Sequence, residues 1–250
     1  MDLYEAFGIR PGAIVAAVGG GGKTSLVYRL ALDAAQRGLP SIATTTVKFT
    51  RPSGIPMPTI IEAPPGGIVE AIRTALAPGV LLVATSGRSE HGRFLGFDDA
   101  TISALAALVP DGLVVVEADG SAHRPFKAPA AHEPAIPACA TDVVVCVGLE
   151  VLGRPLEDPW VHRPEVVARL AAAPVGSAVD VTTVSCVITH EEGGRKGIPA
   201  GANLLALLNQ PANADYEKLG VAIAQRAVYG GFERAVVATA HLGVVHAVVR

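Results

Sequence analysis

The sequence predicts an α/β fold, with a mostly parallel sheet held between two layers of helices. Three observations predict it. Short apolar runs alternate with helical segments from Ala13 onward, the pattern of strands joined by crossover helices. The first run, Ile14-Val15-Ala16-Ala17-Val18, stops at four glycines, Gly19 to Gly22, and Lys23-Thr24-Ser25 then open a helix. Half of the 250 residues are hydrophobic and only 17% are charged, which is enough apolar material to cover both faces of a sheet in a single domain spanning 1–250.

The glycine stretch organises the rest. Strand, glycine turn and helix in that order build an anion site. Glycines allow positive φ and inward-turned N–H groups, and the helix adds unpaired donors and the positive end of its dipole. The usual G-x-x-x-x-G-K-[ST] pattern would place a glycine at position 17, where Ala17 stands. The stretch reads instead as G-x-x-G-K-T from Gly19 to Thr24. The expected phosphate cradle is Gly19, Gly20, Gly21, Gly22, Lys23, Thr24 and Ser25. Lys23 would reach the β- and γ-phosphates and the Thr24 hydroxyl would ligate Mg²⁺. This predicts a three-layer αβα domain of the P-loop NTPase type.

The remaining elements follow in order. Residues 13–18 form the first strand and 24–37 the first long helix, ended by Gly38. Pro40 to Thr46 is a strand. It brings the Thr44, Thr45 and Thr46 hydroxyls, with Lys48, to a carboxyl end where open α/β sheets place ligands. Residues 50–67 are rich in proline and glycine and read as loop with a short strand at Thr59-Ile60-Ile61. Ile68 to Leu76 is helical, Gly79 to Ala84 a strand, and Ser86 to Arg93 a polar loop offering Arg88 or Arg93 to phosphates. Asp98 caps a helix that runs to Leu108. Gly112 to Glu117 is a buried strand with Glu117 and Asp119 at its carboxyl end. Glu117 would hold the Mg²⁺, and Asp119 would be a second metal contact or a general base; the opposite assignment fits the sequence as well.

A proline-stiffened loop from Ser121 to Pro134 follows. Arg124 and Lys127 are suited to anions, and His123, His132 and Glu133 could titrate or bind a metal. Asp142 to Gly148 is a strand. The pattern loosens over 150–201, which reads as an insertion or lid over the nucleotide. It holds a helix starting near Pro164, a stretch from Asp180 to Thr189 that is helix or strand, and His162 and Arg163 as further site candidates. Leu204 to Leu208 is a strand and Asp215 to Val228 a helix. Residues 234–240 and 243–249 are late strands, the last forming an edge hairpin.

The net charge of -3, without a long run of either sign, argues against nucleic-acid or membrane-surface binding. Three cysteines, none in a C-x-x-C pair, argue against disulfides and structural zinc. The thiols read as buried, with Cys139 and Cys146 flanking a strand. The N-terminus is acidic and no apolar run approaches the ~18 residues of a spanning helix, so a soluble, cytoplasmic protein is expected.

Several stretches together resemble the YqeC family. They are Val18 to Ser25, Thr44-Thr45-Thr46, Glu117-Ala-Asp-Gly-Ser121, Arg124-Pro-Phe-Lys-Ala-Pro129, His132-Glu-Pro134, His162-Arg-Pro164 and Leu208-Asn209. The resemblance implies a P-loop NTPase fold and a role as accessory protein in maturing a selenium-dependent molybdenum hydroxylase or its molybdopterin-type cofactor. Family members often carry Leu-Asn-Lys-x-Asp, similar to a guanine-reading motif. Here the stretch is Leu208-Asn209-Gln210-Pro211-Ala212, so ATP is the expected nucleotide and GTP the alternative. The expected activity is Mg²⁺-dependent NTP hydrolysis or phosphoryl transfer to a small anionic acceptor. A nucleotide-gated delivery protein is the rival reading. A Mur-type ligase sharing the shortened loop is a weaker one.

Overall fold

The computed structural model describes residues 1–50 and 58–250; part of the proline-rich loop expected over 50–67 lies outside the described residues. The first half of the chain holds α1 (Leu3–Phe7), β1 (Ala13–Gly19), α2 (Lys23–Gln36), β2 (Ser41–Thr45), β3 (Lys48–Phe49), β4 (Thr59–Glu62), α3 (Pro65–Ala75), β5 (Leu81–Thr85), β6 (Phe94–Leu95), α4 (Asp99–Ala107) and β7 (Leu113–Glu117). The second half holds β8 (Phe126–Lys127), β9 (Asp142–Gly148), β10 (Val161–His162), α5 (Pro164–Ala171), α6 (Val181–Thr189), β11 (Asn203–Asn209), α7 (Ala214–Tyr229), β12 (Arg234–Thr239) and β13 (Val244–Val249).

Among the described residues, nine strands form one sheet in the order β13-β12-β11-β9-β1-β7-β2-β5-β4. It is parallel throughout except for the β12–β13 hairpin at one edge. The predicted three-layer αβα arrangement is present. Val15 and Ala17 of β1 face Leu26 and Leu30 of α2, while Ala16 and Val18 face the opposite layer. That opposite layer is divided. α3 and α4 cover Ile42, Leu82 and Val116 through Ile68, Ile72, Ile102 and Leu105. α5, α6 and α7 cover Val145, Val147 and Leu208 through Val167, Val187 and Ile223. The central strands β1, β7 and β9 are largely apolar because both their faces are covered.

The stretch from Asp180 to Thr189 is a helix. Its β-branched sequence, VTTVSCVIT, has weak helix propensity. The Asp180 carboxylate caps it by accepting from the Thr183 N–H at 2.7 Å, and Val184, Val187 and Ile188 are buried on one side. The segment 150–201, expected as an insertion or lid, thus carries α5 and α6, whose apolar residues join the core cluster of the sheet. The strand expected over Gly79 to Ala84 begins at Leu81, because the Val80 N–H closes a turn on the Ala77 carbonyl at 3.2 Å. Asp98 caps α4 as expected, accepting from the Thr101 N–H at 2.9 Å.

The short N-terminal helix is tied to α2 by Asp33. This fully buried carboxylate accepts from the Leu3 N–H at 3.0 Å and from Arg29 Nε at 2.7 Å. Asp33→Ala leaves both donors without an acceptor, at a cost of about 2 kcal/mol. Thermal denaturation should show a fall in Tm of about 4–8 °C; an unchanged Tm would show that α1 is held by apolar packing alone.

Candidate functional site

The strand order fixes where a ligand can enter. β2, β4, β5 and β7 lie on one side of β1, and β9, β11, β12 and β13 on the other. The sheet therefore switches its winding direction at β1, and a crevice opens there at the carboxyl ends of the strands. The register brings the expected parts to that edge: Ala17 pairs with Glu117, Thr45 pairs with Glu117, and Gly19 pairs with Cys146. A cleft of about 760 Å³ lies there, and its walls include Gly21 to Ser25, Arg93, Glu117, His123 and Arg124.

The glycine loop is packed backbone against backbone. Gly21 has φ +70, and a Cβ there would lie 2.2 Å from the Gly148 nitrogen. At Gly22, with φ +124, a Cβ would lie 2.0 Å from Asn209 Nδ2. The donors are distributed differently from the expectation. The Gly19 N–H donates to Asp119 Oδ2 at 3.1 Å, the Gly20 N–H to the Cys146 carbonyl at 2.9 Å, and the Gly21 N–H to the Arg124 carbonyl at 3.2 Å. Three of the four glycine N–H groups thus shape the loop itself. The donors left for an anion are the Gly22 N–H and those of the first turn of α2, which no side chain caps.

Lys23 and Thr24 stand where the sequence places them. Lys23 Nζ donates to the Gly19 carbonyl at 2.6 Å, and Thr24 Oγ1 donates to Glu117 Oε2 at 2.7 Å. Burial pushes the Glu117 carboxyl above the usual range, against the opposing effects of the Lys23 charge and the Thr24 hydroxyl. The three threonines are structural by contact. Thr44 Oγ1 donates to the Ala84 carbonyl at 3.0 Å, Thr45 Oγ1 to the Glu117 carbonyl at 2.7 Å and Thr46 Oγ1 to the Ala135 carbonyl at 2.7 Å. Lys48 is exposed on β3; its carbonyl accepts from Arg93 Nη2.

The loop after β7 holds a buried ionic network. Lys127 Nζ donates to Asp119 Oδ1, the Gly120 carbonyl and Glu133 Oε2, each at 2.6 Å. Arg163 grips both oxygens of Glu133, at 2.7 and 2.9 Å. Burial alone would raise the Glu133 carboxyl, but hydrogen bonds from Arg163 and Lys127 overcome it and hold the group down at about 2. Lys127, expected to hold an external anion, and Arg163, a further site candidate, therefore hold Asp119 and Glu133. Arg124 lines the cleft and pairs with Asp158 at 2.6 Å. His123 and His162 also line it. Burial, followed by the Arg163 and Lys127 charges, lowers the His162 imidazole below its usual range. His132 projects into solvent. The described residues include no cluster of three or more His, Cys, Asp or Glu able to hold a metal ion.

Two features escape the sequence-level site. Asn209 is fully buried; its Nδ2 donates to the Gly21 carbonyl at 2.8 Å and its Oδ1 accepts from the Ala240 N–H at 3.0 Å. A lone amide ending the apolar run Leu204 to Leu208 was the available signal. Cys146 lies within β9 rather than beside it, and burial raises its thiol to about 12. Among the described residues no helix is long and apolar enough to cross a membrane.

The model of the YqeC protein family matches residues 15–165, a span that runs from β1 through the glycine loop and the ionic network to Arg163. This chain belongs to the YqeC family. Within the family it is similar to the "Uncharacterized protein YqeC" of Escherichia coli (strain K12), with 27% identity over 197 residues, covering 79% of this chain and 75% of the relative. The family resemblance carried by the motifs is thus shown. Asn209 lies beyond the span matched by the YqeC model.

Two outcomes test this geometry. In the folded protein Glu117 keeps its proton to higher pH than in the unfolded chain, so stability falls as pH rises from the ordinary carboxylate range through the raised pKa. Glu117→Gln should therefore raise Tm in Mg²⁺-free buffer at about pH 7.5 and do so less at about pH 4.5; equal shifts at both would place Glu117 at an ordinary pKa. Lys127→Met leaves Asp119 and Glu133 short of a cation and should cost about 3 kcal/mol, read as a lowered midpoint in urea at unchanged m. A midpoint like that of the wild type would mean the network adds nothing to stability.

Proposed function

We propose that this protein binds a Mg²⁺–nucleoside triphosphate in the cleft at the carboxyl edge of β1 and β7, and hydrolyses it or passes its terminal phosphoryl group to a small acceptor. The observation that carries the reading is the Thr24 Oγ1 to Glu117 Oε2 contact of 2.7 Å beside the uncapped N-terminus of α2. A hydroxyl and a buried carboxylate in contact form a two-oxygen donor set. Mg²⁺ is commonly held by so few protein oxygens, the nucleotide phosphates and water completing its shell. When bound, the ion would supply charge neutralisation on the phosphate oxygens. The first-turn N–H groups of α2 would orient the phosphates, and the Lys23 ammonium would exchange the Gly19 carbonyl for a phosphate oxygen. ATP is the nucleotide we assign, with GTP as the alternative.

The family resemblance supports a cellular role in maturing a selenium-dependent molybdenum hydroxylase or its molybdopterin-type cofactor. One observation favours a second reading, a nucleotide-gated delivery protein with slow turnover. Asp119, the candidate base, is engaged by Lys127 and the Gly19 N–H, with its side chain 3% exposed. Both of its oxygens are already engaged, so neither stands free to meet a water or an acceptor hydroxyl. The same bonds join the glycine loop to the loop after β7, a route by which nucleotide could alter that surface. The high pKa of Cys146 counts against its use in chalcogen transfer.

Calorimetry with Mg²⁺–ATP and Mg²⁺–GTP tests the assignment. Lys23→Ala should weaken binding about 100-fold, and Glu117→Gln should abolish phosphate release while the fold persists. Retained turnover in both variants would sink the catalytic reading. Turnover that rises at least about tenfold with a hydroxylase partner would favour the gated form.

A further inference from the structure

Two arginines stand in the loop between β5 and β6, and the structure separates them. Arg88 turns outward: its Nε donates to Glu62 at 3.0 Å, and its guanidinium stacks over Phe94, 5.0 Å from the ring centroid. Arg93 lines the cleft with Lys23, Thr24 and Glu117. Its place is fixed by a stitched turn. The Ser89 N–H donates to the Arg93 carbonyl at 2.8 Å, the Gly92 N–H to the Ser89 carbonyl at 2.8 Å, and the Arg93 N–H to Ser89 Oγ at 3.2 Å. Among the described residues its guanidinium has one hydrogen bond, from Nη2 to the Lys48 carbonyl. Its Nε is buried without an acceptor.

The other cleft arginine contrasts with it. Arg124 is committed to Asp158 and to the Ala122 carbonyl. Arg93 keeps unfilled donors in a polar cleft, and its charge reaches the Glu117 carboxyl. Burying a guanidinium donor without a partner costs the folded state, and an arriving oxyanion would remove that cost. Arg93 also comes from a different part of the sheet than α2, so the two can close on one phosphate group from separate walls. A planar guanidinium suits phosphate oxygens better than a second ammonium would.

We propose that Arg93 grips the terminal phosphate of the bound nucleoside triphosphate, through guanidinium donors that the protein leaves unfilled. This rests on the nucleotide reading above and names the phosphate that the site distinguishes. Lys23 and the α2 N-terminus serve phosphates common to the di- and triphosphate. Arg93 serves the one that leaves, where charge spreads over the oxygens of the transferring group.

Calorimetry with Mg²⁺–ATP and Mg²⁺–ADP on wild type, Lys23→Ala, Arg93→Ala and Arg93→Lys is the test. Arg93→Ala should weaken ATP binding by about 10- to 100-fold and leave ADP within about twofold, collapsing the preference for triphosphate. Arg93→Lys keeps the charge without the fork and should restore only part of that preference. Lys23→Ala should weaken both nucleotides. A loss of affinity for both nucleotides alike in Arg93→Ala would reduce Arg93 to a loop-shaping residue, and unchanged affinity for both would remove it from the site. Wild type that binds neither nucleotide overturns the nucleotide reading itself, an outcome separate from the other two because Lys23→Ala would then match wild type.

Discussion

A single buried carboxylate joins the two walls of the cleft. Asp119 accepts the Gly19 N–H on one oxygen and the Lys127 ammonium on the other. Through the first bond it fixes the turn at the end of β1. Through the second it fixes the loop after β7, because Lys127 also binds Glu133, which Arg163 holds at the entrance to α5. Three charged groups of one loop and Arg163, 30 residues beyond Glu133, thus form a balanced set of two anions and two cations. Such a set is tolerable away from water only because each member is paired and hydrogen-bonded. Asp119 and Lys127, whose side chains are 3% and 1% exposed, depend most on this pairing.

The sheet itself was legible because its physics is local. β9 reads as seven apolar or strand-ending residues, Asp142–Gly148, and the structure returns the same bounds. Pro164 begins α5 and Asp98 caps α4 for reasons contained within a turn of chain. The helix of Val181–Thr189 was undecided because its residues favour strands. What decides it is burial against α7 and the sheet, a tertiary effect that no window of sequence contains. The two-residue strands β3, β6, β8 and β10 are too short for any periodicity to announce them.

The site was legible by type and less so by role. Lys23, Thr24 and Glu117 line one cleft, with Thr24 Oγ1 2.7 Å from Glu117 Oε2. Thr44, Thr45 and Thr46 sit at a strand end, but each hydroxyl has a backbone acceptor. Lys127 and Arg163 looked like hands for a ligand, and the ligand they hold is the protein's own Asp119 and Glu133. A sequence shows that a cation is present near a loop. It does not show which anion arrives first, because the partners here are 8 and 30 residues apart. Arg93 and Arg88 illustrate the same limit: five residues apart in one loop, they face different surroundings.

Asn209 carries one further consequence. Its amide binds the Gly21 carbonyl on one side and the Ala240 N–H on the other, so the glycine turn is braced from the far half of the sheet. With three glycine N–H groups also anchored to the protein, the turn has its shape before anything enters the cleft. A ligand would meet a finished surface rather than a chain to be ordered, and little of its binding energy would go to restricting backbone motion. Capture at this turn would then be timed by collision and alignment rather than by loop closure.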